Sequence, residues 1–110
     1  MNQWLPLRRA AAWSPLSGFW EGKTLTGVEL VVTDARAFRA VHAAVEILVA
    51  ARKLAPSALA SESAKALDRD WGTDTLRIGL QQGWSVEEIL RQWDAATRTF
   101  IVARTPYLLY

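Results

Sequence analysis

The spacing of apolar residues changes along this chain from irregular to alternate to helical, and those changes mark its elements. Residues 1–26 have no period. Pro6, Pro15, Gly18 and Gly22 alternate there with Trp4, Trp13, Phe19 and Trp20, which predicts extended chain with turns, wrapped around a core built elsewhere. Over residues 27–33 the period becomes two. Gly27-Val28-Glu29-Leu30-Val31-Val32-Thr33 is rich in β-branched residues and sets Val28, Leu30 and Val32 on one face, the pattern of a strand. From Asp34 onward the spacing is helical. Asp34 stands where an N-cap belongs, Phe38, Val41, Val45 and Leu48 share a stripe, and Pro56 follows soon after Lys53, so a helix over 35–53 is expected.

The Ala- and Ser-rich stretch 57–70 predicts a short helix around Ala58 to Leu67. A third helix starts near Thr73 or Asp74, carries Leu76 and Leu80 one turn apart, and stops at Gly83, a residue suited to the left-handed C′ position. The fourth has a strong start signal. In Ser85-Val86-Glu87-Glu88 the Ser85 hydroxyl can accept from the Glu88 amide while the Glu88 carboxylate accepts from the Ser85 amide, and Trp84 with Ile89 forms a hydrophobic staple. Ile89, Trp93, Ala96 and Phe100 then repeat on one stripe as far as Ala103, and Pro106 stops the helix. The apolar tail Tyr107-Leu108-Leu109-Tyr110 is expected to dock as an edge strand or a plug. Together these elements predict one α+β domain: a small β-sheet including 27–33, covered by three to four helices, principally those at 35–53 and 86–103. Residues 27–110 form its core and 1–26 its wrapping segment.

A length of 110 residues supports one hydrophobic core, and a composition 51% hydrophobic and 22% charged is that of a folded chain. The longest apolar stretch, Ala43 to Ala51, is interrupted by Glu46 and falls well short of the roughly 20 residues of a membrane span. Arg8 and Arg9 follow the first apolar residues instead of preceding them, which is not the order of a secretory signal. A complete chain is therefore expected in the cytoplasm, and a fragment of an exported enzyme in the periplasm or outside the cell. The absence of cysteine excludes disulfides, thiolate metal sites and cysteine nucleophiles. The net charge of +2 is a small excess, 13 basic against 11 acidic residues, with no basic tract to hold nucleic acid.

Candidate chemistry is sparse. Asp68-Arg69-Asp70-Trp71-Gly72-Thr73-Asp74 has the alternate carboxylates a calcium loop wants, but Thr73 and Gly79 stand where such a loop needs Gly and Glu, so a turn into the third helix is the better reading. His42 is the only histidine, with no second ligand at metal-binding spacing. There is no nucleophile elbow, phosphate loop or dinucleotide fingerprint, hence no expected cofactor. Glu29, Asp34, Asp68 and Asp70 could be paired on paper for glycoside chemistry, but the separation that decides such a mechanism is invisible in sequence. Six tryptophans invite sugar stacking, yet Trp84 and Trp93 are committed to the staple and the core stripe, leaving Trp13, Trp20 and Trp71. A helix–Gly–helix unit also suggests DNA reading by residues 85–103. Glu87 and Glu88 argue against it, since they would meet phosphates at the end entering the groove.

Several short motifs form one ordered pattern: Leu5-Pro6, Trp13-x-Pro15, Gly27-Val28 through Val32-Thr33-Asp34, Asp68-x-x-Trp71-Gly72-Thr73-Asp74-x-Leu76-Arg77, Gly83-x-Ser85-x-Glu87-Glu88-Ile89, Trp93, Phe100 and Arg104-x-x-Tyr107-Leu108-Leu109-Tyr110. This pattern resembles the C-terminal domain of the NamZ-type exo-β-N-acetylmuramidases. It departs from the family at Ala40-Val41, where Pro-Val is usual, at Ala43 or Ala44 in place of Gly, and at Ala55 in place of an aromatic residue. The resemblance implies an auxiliary domain of a glycosidase that removes N-acetylmuramic acid from peptidoglycan fragments. The acidic catalytic residues would lie on a separate Rossmann-like domain, which is the expected partner in cis or in trans. No catalytic residue is then expected in this chain. Arg104, Tyr107, Tyr110, Trp20 and Trp71 are the candidates for the interface or for a muropeptide sugar at the cleft between the domains. Neither nucleic acid nor a membrane span enters this reading. The alternative is a free-standing protein-interaction module that never meets a sugar.

Overall fold

A computed structural model describes residues 7–59 and 61–110. Trp4 and the Leu5-Pro6 motif lie outside them. The elements are strands β1 (Leu7–Trp13) and β2 (Leu25–Val31) and helices α1 (Ala40–Leu54), α2 (Ser61–Trp71), α3 (Thr75–Gln82) and α4 (Val86–Arg104), with short 3₁₀ turns at Pro56–Leu59 and Thr105–Tyr107. The expected α+β class is borne out by this two-stranded sheet and these four helices. By its internal contacts the chain divides into two compact units, residues 1–43 and 44–110.

The first unit holds the hairpin. β1 and β2 run antiparallel in a register from Leu7 opposite Val31 to Trp13 opposite Leu25. The segment read as extended chain thus supplies the partner strand, and the strand expected over 27–33 is found over Leu25–Val31. One face carries the directly opposed ion pair of Arg9 and Glu29, and beyond it the Trp13 indole lies diagonally across Gly27, its Cη2 atom 3.0 Å from where a Cβ would sit. The other face, with Val28 and Leu30, is exposed. Backbone bonds from Glu21 N to Gly18 O, Gly22 N to Pro15 O and Lys23 N to Trp20 O tie the connecting loop to itself.

Asp34 caps, but not the helix it was expected to cap. Its carboxylate accepts from the Arg36 and Ala37 amides at 3.0 and 3.3 Å, and Phe38 N reaches Asp34 O at 3.0 Å. That closes one isolated turn, and α1 begins only at Ala40, so the helix expected over 35–53 is shorter at its start. The inferred stripe shifts with it: Val41 is exposed, while Val45 and Val49, one turn apart, are buried. At the other end the helix stops at Leu54, two residues before Pro56, because proline disfavours helical geometry in the residue it follows.

In the second unit Val45 and Val49 meet Leu76 and Leu80 of α3 and Ile89 of α4, with Leu67, Trp71, Trp84 and Trp93 packed around them. α3 and α4 approach closely because residue 79 has no side chain. A Cβ there would fall 2.8 Å from Trp84 Cε3 and 2.9 Å from Ile89 Cγ1. Gly83 takes the left-handed conformation at φ 74°, with Gly83 N donating to Leu80 O at 3.3 Å and Trp84 N to Gly79 O at 2.9 Å. This is a Schellman closure. One residue later the capping box forms as expected: Glu88 N donates to Ser85 Oγ at 3.1 Å and Ser85 N to Glu88 Oε2 at 2.8 Å. The Arg77 guanidinium holds α3 to α2, its Nε donating to both Asp68 carboxylate oxygens at 3.0 and 2.8 Å.

Candidate docking interface

Helix α4 has two halves of different character. In the first, Ile89 is fully buried, Val86, Leu90 and Trp93 pack against the core, and Trp93 stacks on Trp71 of α2 with ring centroids 5.7 Å apart and planes inclined by 15°. In the second the same stripe runs on past the end of the core. Every residue from Asp94 to Tyr110 is exposed.

Phe100, expected on the core stripe, is 63% exposed, and Ile101 and Val102 beside it are also uncovered. The tail does not dock. After the 3₁₀ turn at Thr105–Tyr107 the chain leaves in extended geometry at Leu108, with Tyr107 84%, Leu109 97% and Tyr110 106% exposed. Residues 108–110 form no strand, and within the second unit the expected plug is absent. The physical reason lies in the core's size: α1, α2 and α3 furnish apolar partners only as far along α4 as Trp93. Arg104 occupies the last turn of α4, where a cation is favoured by the helix dipole, and it has no ion-pair partner among the described residues.

The structure thus brings three of the five sequence candidates, Arg104, Tyr107 and Tyr110, to one end of α4. Trp71 belongs to the packed centre of the second unit instead, half-buried and stacked on Trp93. Trp20 lies on the hairpin loop of the first unit, with the Phe19 ring edge-on at 4.9 Å and the Lys23 ammonium 5.2 Å from its centroid. Sequence reasoning missed Ile101, Val102 and Leu109 as surface residues and misplaced Phe100. A signal was present, because three consecutive apolar residues, Phe100-Ile101-Val102, turn by about 100° each and cannot all face one core.

Three of the four carboxylates that could be paired on paper are engaged in structure, and the fourth, Asp70, is exposed. Glu29 is bound by Arg9, Asp34 by its own turn, and Asp68 by Arg77. Residues 68–71 form the last turn of α2 and not a calcium loop. Among the described residues no three His, Asp or Glu side chains gather as a metal ion requires, and no helix is long and apolar enough to cross a membrane.

Comparison with known proteins covers nearly the whole chain. The peptidoglycan β-N-acetylmuramidase NamZ of Bacillus subtilis (strain 168) is 29% identical over 102 residues, which are 93% of this chain and 25% of that protein. The chain therefore spans about a quarter of the length of the curated relative it matches. No solved structure matches. Residues 6–110 match the family described as exo-β-N-acetylmuramidase NamZ, C-terminal. With nearly its whole length inside that match, the chain belongs to the NamZ C-terminal domain family.

Proposed function

We propose that this chain serves as the auxiliary domain of an exo-β-N-acetylmuramidase, docking through the end of α4 and its tail onto a separate Rossmann-like catalytic domain that removes N-acetylmuramic acid from peptidoglycan fragments. The observation that carries the reading is the uncovered apolar end of α4, from Phe100 to Tyr110. Apolar surface of this kind is stabilised by burial at roughly 25 cal/mol per Å², and contiguous exposed patches mark binding surfaces. Similarity to a quarter of a peptidoglycan muramidase supports the identity of the partner. In this reading the acid and the nucleophile or base belong to that partner; of the carboxylates that could be paired here, Glu29, Asp34 and Asp68 are held by arginines or by a turn. Arg104 faces the cleft, where its planar guanidinium matches a carboxylate such as the lactyl group of muramic acid.

The test is reconstitution. The Bacillus subtilis relative is expressed without the quarter this chain matches, checked for a folded, monodisperse state, and mixed with the full chain. Calorimetry is expected to register binding at tens of micromolar, where even a modest interface is detectable. Hydrolysis of a chromogenic N-acetylmuraminide is expected to rise on mixing. Binding abolished by Tyr107→Ser with Leu109→Ser would support the surface assigned, whereas no binding of the unaltered chain removes the docking reading. Unchanged activity of the mixture carrying Arg104→Ala removes the role of that residue towards sugar.

A further inference from the structure

Helix α1 is apolar on two sides and covered on one. Val45 and Val49 face the core, and on the opposite side, at 100° per residue, Ala50, Leu54, Ile47, Ala51 and Ala44 follow one another over an arc of about 120°. Leu54 is 87% exposed, Ala50, Ala51 and Ile47 are exposed and Ala44 is half-buried. The charged residues of the helix, Glu46, Arg52 and Lys53, all lie outside that arc. A helix apolar on both sides is one that a folded assembly covers on both.

Magnitudes choose the occupant. Residues 44–54 span about 16 Å, and a third of a cylinder about 10 Å across offers roughly 200 Å². Against a second copy that patch buries about 400 Å² in all, a third of the roughly 1,200 Å² at which stable interfaces begin. It is too small to hold two free chains together. Three of its five residues are alanines, which give a bilayer no bulky anchor but let another element of protein pack at close range. A patch of this size contributes where the two sides are already linked, because a short tether supplies an effective concentration of about 1 mM. In the Bacillus subtilis relative the matching quarter is linked to the other three-quarters of the chain.

Resting on the docking reading above, we infer that an apolar, uncharged element of the catalytic domain packs on the outer side of α1, so that in the assembled enzyme α1 lies between the core of this chain and that domain. An arc without charge matches an element without charge of its own, since a charge buried there would find no counter-ion. Ile47 and Leu54 supply the apolar area, and the alanines set the depth of approach. The contact adds to the one at the end of α4.

The chain has no cysteine, so Ala51→Cys places a single thiol on the arc and Glu87→Cys a control thiol on the exposed first turn of α4. Alkylation with a maleimide, followed by mass spectrometry of this chain, is expected to proceed at comparable rates at both sites in the chain alone. It should slow at least about tenfold at residue 51, and not at residue 87, when the Bacillus subtilis relative expressed without its matching quarter is added to saturation. In calorimetry of the same pair, Ala51→Glu is expected to weaken binding at least about tenfold by setting a charge on the arc. The melting temperature of that variant alone should stay within a few degrees of the parent's, because residue 51 is exposed there. Protection and weakening together are the expected result. With the unaltered chain still binding, either one without the other, or neither, overturns the contact at α1 and leaves docking standing. No binding at all overturns docking, and this inference with it. Slow alkylation at residue 51 in the chain alone, or a large fall in melting temperature of Ala51→Glu, overturns the inference as well: it assigns the arc to a second copy if sedimentation velocity shows a dimer, and to another part of the same chain if it shows a monomer. Flotation with phosphatidylserine–phosphatidylcholine vesicles that Ala51→Glu abolishes assigns the arc to lipid, with the same consequence.

Discussion

Gly79→Ala is the change by which the packing of α3 on α4 is best tested. Residue 79 lies inside α3 in ordinary helical geometry, so alanine there gains about 1 kcal/mol of helix propensity and in an open helix would stabilise. Here the added methyl meets Trp84 Cε3 at 2.8 Å and Ile89 Cγ1 at 2.9 Å. Carbon atoms pack best at about 3.5 to 4.0 Å, so each neighbour must retreat by roughly 0.6 Å or more. Neither can do so freely. Ile89 is fully buried, and the backbone of Trp84 is held by the hydrogen bond its N–H donates to Gly79 O and by the turn at Gly83. Overpacking of this kind costs about 1 to 3 kcal/mol, towards the upper end for two stiff neighbours. The net expectation is a loss of about 1 to 2 kcal/mol, seen as a fall of roughly 5 to 10 °C in Tm. Urea unfolding followed by tryptophan fluorescence and by far-ultraviolet circular dichroism measures it. In a Trp84→Leu background, where Cε3 is gone, the penalty should shrink by at least about 0.5 kcal/mol, a coupling that a double-mutant cycle reads directly. Gly79→Ala that is neutral or stabilising, with no coupling to residue 84, would refute the close approach of the two helices.

Three further outcomes are expected from the same geometry. Ser85→Ala should lose about 1 kcal/mol with the capping box, and Trp93→Ala about 2 to 3, less than for a fully buried ring because Trp93 is only half-buried against Trp71; chemical denaturation that ranks them the other way would place the register of α4 in error. Arg77→Lys should destabilise by about 0.5 to 1 kcal/mol in thermal melts despite keeping its charge, since one ammonium cannot replace both the Nε bonds to Asp68 and the Nη1 bond to Gln81 that the planar guanidinium makes together. The isolated chain should not cleave a chromogenic N-acetylmuraminide, and turnover abolished by changing one carboxylate of this chain would contradict the assignment of catalysis to a partner.

How much of this protein could be read along the chain depended on the range of the forces involved. The stop at Gly83, the box between Ser85 and Glu88 and the staple of Trp84 with Ile89 are interactions within a few residues, and they appear in structure as the spacing predicts. The strand around residues 25–31 was legible for the same reason, as was the α+β class. Its partner was not, because pairing with Leu7–Trp13 joins residues far apart in sequence, and a run of three alanines carries no alternation to announce it. Asp34 shows the limit of a local signal: the carboxylate caps a turn as its type demands, but that turn ends at Phe38 and the helix starts afresh at Ala40. The end of α4 shows the larger limit. A periodic stripe reveals which face of a helix is apolar and not how far a core extends along it; here the core stops at Trp93 because the other helices offer nothing beyond. The caps at Gly83 and Ser85 were thus fixed by sequence through short-range hydrogen bonds, whereas the exposure of Phe100, Leu109 and Tyr110 was decided only by tertiary structure, since burial depends on the neighbours the fold supplies.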